Sequence, residues 1–285
     1  MSIRCFNGAL VMKYISKIKI QITLIGFISL AALSTNGFAE EQGKQEDKTG
    51  TNPVNFQREF RVNNEHLWLN TSGDGSQNVV TAEFRTPILD GKWQWRVRAR
   101  HNSLTADFNN DGIDDVDESG AGDMDMRFLT VFNLNMARKE AWAGGLEMFF
   151  DTASEDALGS GTTALGPQVF YVKFLPTGLF APGLQYKFSV DEDDGRSEID
   201  QVLIDLNYLR MAKDKQSWFF TDPQIVIDNE TDIEFSVIDL EFGWMMTKWW
   251  ADKKGQSFYI RPSIGVGADR PTDGSIEVGY KVVGW

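Results

Sequence analysis

The run Lys92-Trp93-Gln94-Trp95-Arg96-Val97-Arg98-Ala99-Arg100 decides the architecture. In an extended chain Trp93, Trp95, Val97 and Ala99 share one face, and Lys92, Gln94, Arg96, Arg98 and Arg100 share the other. The pattern recurs in Leu184/Tyr186/Phe188/Val190 against Gln185/Lys187/Ser189/Asp191. It returns in Val202/Ile204/Leu206/Tyr208 against Gln201/Asp205/Asn207, and in Phe258/Ile260/Ile264/Val266 against Tyr259/Arg261/Ser263/Gly265. A soluble β-sandwich also alternates, so length and charge must decide. These runs reach ten residues or more, against ~5–6 in soluble sheets and ~9–11 for a tilted strand crossing a bilayer. Several charges on the polar face of one strand suit a wet lumen better than a dry core.

Twelve such strands are expected, at about 56–69, 79–88, 92–101, 123–136, 141–151, 167–175, 183–191, 199–210, 217–227, 232–246, 256–268 and 275–285. The reading is an all-β, transmembrane antiparallel barrel of outer-membrane type. Connections at Asp90-Gly91, 137–140, 176–182 and 212–216 then lie on the periplasmic side, and 102–122, 152–166 and the acidic 191–195 face outward. The longest connections fall outside, as such barrels require. Trp93, Trp142, Trp218, Trp244, Trp249, Trp250 and Trp285 fall near the periplasmic ends, as an aromatic girdle would. Trp285 is aromatic but out of phase with the stripe Ile276/Val278/Tyr280/Val282.

The N-terminus reads separately. Arg4, Lys13, Lys17 and Lys19 precede an apolar run from Ile20 to Leu33 and the small-residue pattern Gly37-Phe38-Ala39. This is a signal peptide over 1–39, cleaved before Glu40; the uninterrupted apolar run is too short for the ~20 residues of a spanning helix. Cleavage takes the formal charge from −13 to −17 and removes Cys5, the only cysteine. The mature chain therefore has no disulfide, and its acidity argues against nucleic-acid binding. Residues 40–54 are polar and read as a flexible periplasmic lead-in, with the barrel over 55–285.

The segment Phe149-Phe150-Asp151-Thr152-Ala153-Ser154-Glu155-Asp156-Ala157-Leu158-Gly159-Ser160-Gly161, with Leu165-Gly166-Pro167-Gln168 after it, resembles a family of outer-membrane transporters named for the meta-pathway of phenol degradation. Gln185-Tyr186-Lys187-Phe188-Ser189-Val190 and Arg196-Ser197-Glu198-Ile199-Asp200-Gln201 are similar to the next part of its pattern. The resemblance is sharpest over 149–201 and diffuse elsewhere. It implies a channel or transporter for small solutes, aromatic or hydrophobic ones among them, in contact with outer-membrane lipid and inserted by the outer-membrane assembly machinery.

Three groups of residues compete for a role. Lys92, Arg96, Arg98 and Arg100 form a basic ladder on one lumen wall, and Asp123, Asp125, Glu147, Asp205 and Glu241 could face it. The ladder is either one side of a transverse field in a pore or part of an ion-pair network that plugs the barrel. Residues 107–118 carry oxygen donors at calcium-loop positions: Asp107, Asn109, Asp111, the Ile113 carbonyl, Asp115 and Glu118, with Gly112 at the sharp turn. The alternative is a solvated acidic surface. Finally, His101-Asn102-Ser103 is similar to the His-x-Ser pair of outer-membrane phospholipase A, but no orienting Asn or Asp is evident beside it. An enzyme of that type and a structural barrel without a pore are the alternatives to a channel. The leader and the strand pattern together predict a heat-modifiable species in the outer-membrane fraction whose N-terminal residue is Glu40. N-terminal sequencing of the purified band checks this, and a soluble periplasmic species would contradict it.

Overall fold

The computed structural model describes residues 49–108, 110, 114–250, 253 and 255–284. The signal peptide, residues 40–48 of the expected lead-in, and Trp285 lie outside them. Thirteen strands follow in order: β1 (Glu59–Leu69), β2 (Gly75–Ile88), β3 (Trp93–Ala106), β4 (Val116–Ala121), β5 (Met124–Asn135), β6 (Glu140–Phe150), β7 (Thr162–Leu175), β8 (Gly178–Glu192), β9 (Asp200–Met211), β10 (Ser217–Asp228), β11 (Ile233–Met245), β12 (Gln256–Val266) and β13 (Thr272–Val283). Every neighbouring pair is antiparallel, and β1 pairs with β13 from Glu59↔Val283 to Leu69↔Thr272, which closes the sheet. As a strand β4 pairs with β3 alone, from His101↔Ala121 to Ala106↔Val116. The wall is therefore a closed ring of twelve strands, and β4 is the returning arm of a hairpin that β3 extends beyond it. The expected loop 102–122 is thus largely strand, which leaves 107–115 as the connection.

Alternation gives the ring two faces. Phe60 and Val62, Leu184, Phe242, Phe258 and Ile260, Ile264, and Ile276 and Val278 point outward and stay exposed on the isolated chain. Among Arg61, Glu83, Arg96, Asp125, Glu147, Glu241 and Lys281, all of which point inward, none is more than 8% exposed. The strand phase expected from 92–100 holds, with Trp93, Trp95 and Val97 on the outer face. An apolar outer belt around a charged interior is the inverse of a soluble barrel and fits a wall that faces lipid.

Prolines set where the ladders lapse. Between β7 and β8 the pairing skips the two rungs at Pro167 and the two at Pro182; β9–β10 skips at Pro223, and β11–β12 at Pro262. Proline has no N–H to donate, so the ladder cannot continue through it on that side. Each proline's other neighbour pairs without a gap: Pro182↔Leu206 in β8–β9 and Pro223↔Ile238 in β10–β11 are examples. Pro182 was expected to lie in a turn over 176–182; β8 instead begins at Gly178 and carries the proline within it.

Among the described residues the girdle tryptophans depart from expectation at one position. Trp142, Trp249 and Trp250 are exposed, and Trp244 and Trp249 both stack on Phe258 with centroids 5.4 Å apart. Trp218 points inward and is 3% exposed, because it is the second residue of β10 and shares the inward phase of Phe220, Asp222 and Gln224. A charge on the outer face tests the phase. Val97→Arg should cost ~2–4 kcal/mol if the site lies near mid-bilayer and reduce the heat-modifiable folded band, whereas Val97→Leu should leave that band at its normal level.

Candidate functional site

The inner face is layered from the N-terminal end of the barrel toward the far rim. Nearest the N-terminal end, inward Leu129, Val131, Ala141, Ala143, Phe170, Val172, Leu179, Leu209 and Phe220 form an apolar cluster. Val54 belongs to this cluster and Phe56 packs against it. Residues 49–54, the end of the expected flexible lead-in, are therefore seated inside the barrel: Thr49 is fully buried, and Asn52 and Val54 nearly so. Main-chain oxygens hold the segment. Lys281 Nζ donates to the Thr49 carbonyl at 3.1 Å, and Arg85 Nη1 donates to the Gly50 carbonyl at 3.0 Å. Gly50 has φ +70°, a left-handed conformation that glycine adopts without strain.

Beside this floor stands the first array of charges. Glu241 and Lys281 are both 0% exposed and pair at 3.0 Å. Trp218 Nε1 donates to Glu241 at 2.7 Å, and Arg261 reaches both Glu241 and Glu277. Tyr259 and Asn63 donate to Glu277, and Arg61 pairs with Glu59 at 2.8 Å. Arg85 pairs with Glu83 at 2.6 Å. The second array lies on β3, β5 and β6. Arg98 pairs with Asp125 at 2.9 Å and with Glu147 at 3.0 Å, Arg100 pairs with Asp125 at 2.6 Å, and Arg96 bonds both acids. Gln185 donates to Glu147 at 3.1 Å. Buried charges persist only when paired and hydrogen-bonded, so these arrays brace the wall as well as line it.

Above the floor is a lumen cavity of about 590 Å³. Gly50, Thr51 and Pro53 belong to its boundary, so the N-terminal segment is one of its walls. Arg61, Arg85, Arg96, Arg98 and Arg127 stand on one side, on β1, β2, β3 and β5. Asp205, Asp222 and Asp239 stand on β9, β10 and β11 across from them. The cavity thus has a basic wall and an acidic one. Arg96, Arg98 and Arg100 of the ladder are themselves paired with Asp125 and Glu147, so features of both expected readings, a charged lumen and an ion-pair network, are present.

The structure brings Arg96, Arg98, Arg100, Glu147 and Asp205 to the lumen, together with Asp125 and Glu241. Lys92 is a correction: it is exposed in the turn between β2 and β3 and joins no pair in the lumen, because β3 begins one residue later. Asp123 also has another role. Its carboxylate accepts from the Thr152, Ala153 and Ser160 N–H groups at 2.7–3.2 Å and from the Ser160 hydroxyl at 2.8 Å. One aspartate thereby folds the 151–161 connection, the centre of the family-like motif. Arg61, Arg127, Asp222 and Asp239 were not singled out from sequence; each sits at an inward position of its strand, and that alternation was the available signal.

The acidic loop is only partly described: Asn109, Asp111 and Ile113 lie outside the described residues. Asp107 Oδ1 accepts from the Asn110 N–H at 2.7 Å, and Asp115 Oδ2 accepts from the Phe108 N–H at 2.7 Å, so both carboxylates fold the loop ends. Glu118 lies in β4 opposite Leu104, in the ladder rather than in the loop. Among the described residues no group of His, Cys, Asp and Glu is placed to hold a metal ion. His101 Nε2 lies 3.3 Å from Ser119 Oγ, which lies 2.9 Å from Ser103 Oγ. These groups are on the outer face of the hairpin, and no carboxylate orients the imidazole among the described residues.

A closed, charge-lined, twelve-stranded barrel with a lipid-type exterior is the fold of outer-membrane channels. The chain superposes on a COG4313 outer membrane channel from Pseudomonas putida F1 with TM-score 0.64 and 14% identity, covering 84% of this chain and all of that one. It superposes on the NanC porin with TM-score 0.50 and 12% identity, covering 79% of this chain and 98% of that one. No protein-family model and no curated protein matches the chain. The site itself can be tested at its most buried pair. Glu241→Ala leaves Lys281 buried without its carboxylate, which should cost ~3–5 kcal/mol and lower the urea midpoint of the folded barrel. A midpoint equal to the parent's would mean that the pair carries no stability.

Proposed function

We propose that the protein is an outer-membrane channel for small solutes, with no enzymatic role, and that the N-terminal segment 49–56 narrows its periplasmic end. The observation that carries the reading is the 590 Å³ charged cavity inside the ring, floored by that segment. A polar inner face around an unfilled space suits a water-filled passage, and small solutes match a cavity of this size. The leader, the apolar belt and the likeness to outer-membrane channels support insertion into that membrane through its assembly machinery. The resemblance over 149–201 to the phenol meta-pathway transporters favours solutes with an aromatic ring, and Phe149, Phe170, Phe220 and Phe235 line the cavity beside its charges. Planar-bilayer recording tests the channel reading. The intact chain should give small unitary currents, and deletion of residues 49–55 should give larger ones. Verified insertion without current from either form would refute it.

Calcium in the connection after β3 is a structural part of the same proposal, carried by the spacing of Asp107, Asn109, Asp111, the Ile113 carbonyl, Asp115 and Glu118, the last of which lies in β4. Extracellular sites of this kind bind at ~10⁻⁴–10⁻³ M. Millimolar calcium should slow protease cleavage within 107–115, and Asp111→Ala should abolish the protection while the barrel still assembles. Cleavage unchanged by calcium in the parent protein would reduce the loop to a solvated acidic surface.

A further inference from the structure

The charges around the cavity are not all neutralised. Arg61, Arg85, Arg96, Arg98 and Arg261 each have carboxylate partners. The Arg127 side chain forms neither an ion pair nor a hydrogen bond among the described residues, and its buried Nε has no partner. Across the cavity the acids likewise lack a cationic partner, although Asp239 hydrogen-bonds Ser263. Asp222 accepts from Gln224 through one oxygen at 3.0 Å, while its buried Oδ1 has no partner. Asp205 and Asp239 join Asp222 on the cavity wall, and none of the three forms an ion pair among the described residues. Arg127 on β5 and Asp222 on β10 are five strands apart in a ring of twelve, close to diametrically opposed. A buried charge without a partner is costly. Two such groups of opposite sign, facing each other across a space that one molecule can fill, are complementary to a molecule with both charges.

We propose that the lumen is a binding site for a dipolar solute. Its ammonium or guanidinium group is held by Asp205, Asp222 and Asp239, and its carboxylate by Arg127. Lys187 on β8, whose ammonium lies 4.2 Å from the ring centroid of Phe149 on β6, also lines the cavity and adds to its attraction for an anionic group. The inference deepens the channel reading by naming the solute class. It also explains why one wall has lost its cations and the other its spare acids: a barrel braced only for stability would pair them.

The test uses the intact barrel in detergent micelles and three probes of matched size, by titration calorimetry. Para-aminomethylbenzoate carries both charges, para-methylbenzoate only the negative one, and para-methylbenzylamine only the positive one. The dipolar probe should bind at least about tenfold more tightly than either singly charged probe. Asp222→Asn should weaken the dipolar probe about tenfold and leave para-methylbenzoate unchanged. Arg127→Gln should weaken the dipolar probe to the same degree and leave para-methylbenzylamine unchanged. Equal binding of the three probes by the parent protein overturns the proposal, whatever the variants do. So does dipolar binding that neither substitution weakens in variants that keep heat-modifiable mobility. Bilayer currents recorded on the same preparation separate the two readings. A barrel that conducts but does not discriminate overturns only the dipolar site, and one that discriminates but never conducts overturns only the channel.

Discussion

The pairing of β1 with β13 is the constraint on which everything else rests. In hydrocarbon a backbone N–H or C=O without a partner costs several kcal/mol, so a sheet in a bilayer must have no edge. Once the ring closes, each residue has only two environments, lipid or lumen, and the sequence must alternate between them. Closure also fixes the diameter. Twelve strands enclose more space than a dry side-chain core fills easily, and this chain fills part of it with its own N-terminal segment and part with paired charges. The cavity is what is left.

Within that frame the interior is built by two kinds of contact. At the N-terminal end apolar side chains meet Val54 and Phe56, which is ordinary core packing placed inside a membrane wall. Higher up, carboxylates shared between arginines join neighbouring strands: Asp125 accepts from Arg96, Arg98 and Arg100, and Glu241 binds Arg261, Lys281 and Trp218. One carboxylate with several donors recovers more of the desolvation cost than isolated pairs can. The arrays run over β11 to β13 and over β1 to β6, whereas β9 and β10 contribute lumen acids without such partners.

Alternation made most of this legible. The run 92–100 gave the phase of β3, and every strand of the ring lies within a few residues of its expected place, because period two leaves little freedom once one face is apolar. Three features escaped for three reasons. The lead-in 49–54 is polar in composition, and composition does not register that its carbonyls have cations waiting for them in the barrel. Trp218 was read as an interfacial residue from its position along the chain, while its inward phase makes it a donor to Glu241. The 102–122 stretch carries turn and acid signals dense enough to hide β4, whose Val116–Ala121 contains only two apolar side chains larger than glycine, Val116 and Ala121. The field across the cavity was half visible: the ladder Arg96, Arg98 and Arg100 sits on the single strand β3, whereas the acidic wall is spread over three strands.

The proline lapses divide the ring mechanically. From β12 through β13, β1 and β2 to β3 the ladders run without a skipped pair apart from one bulge at Trp68/Leu69. From β7 to β12 every second seam is missing rungs, so β8–β9 and β10–β11 are two-stranded ribbons stitched to their neighbours at their ends. Such a wall is stiff on one arc and hinged on the other. Squeezed by lateral pressure, it would flatten along the hinged arc first, so the acidic wall would shift while the arginine wall kept its shape. The two walls that face each other across the cavity thus differ in how continuously their strands are bonded to their neighbours.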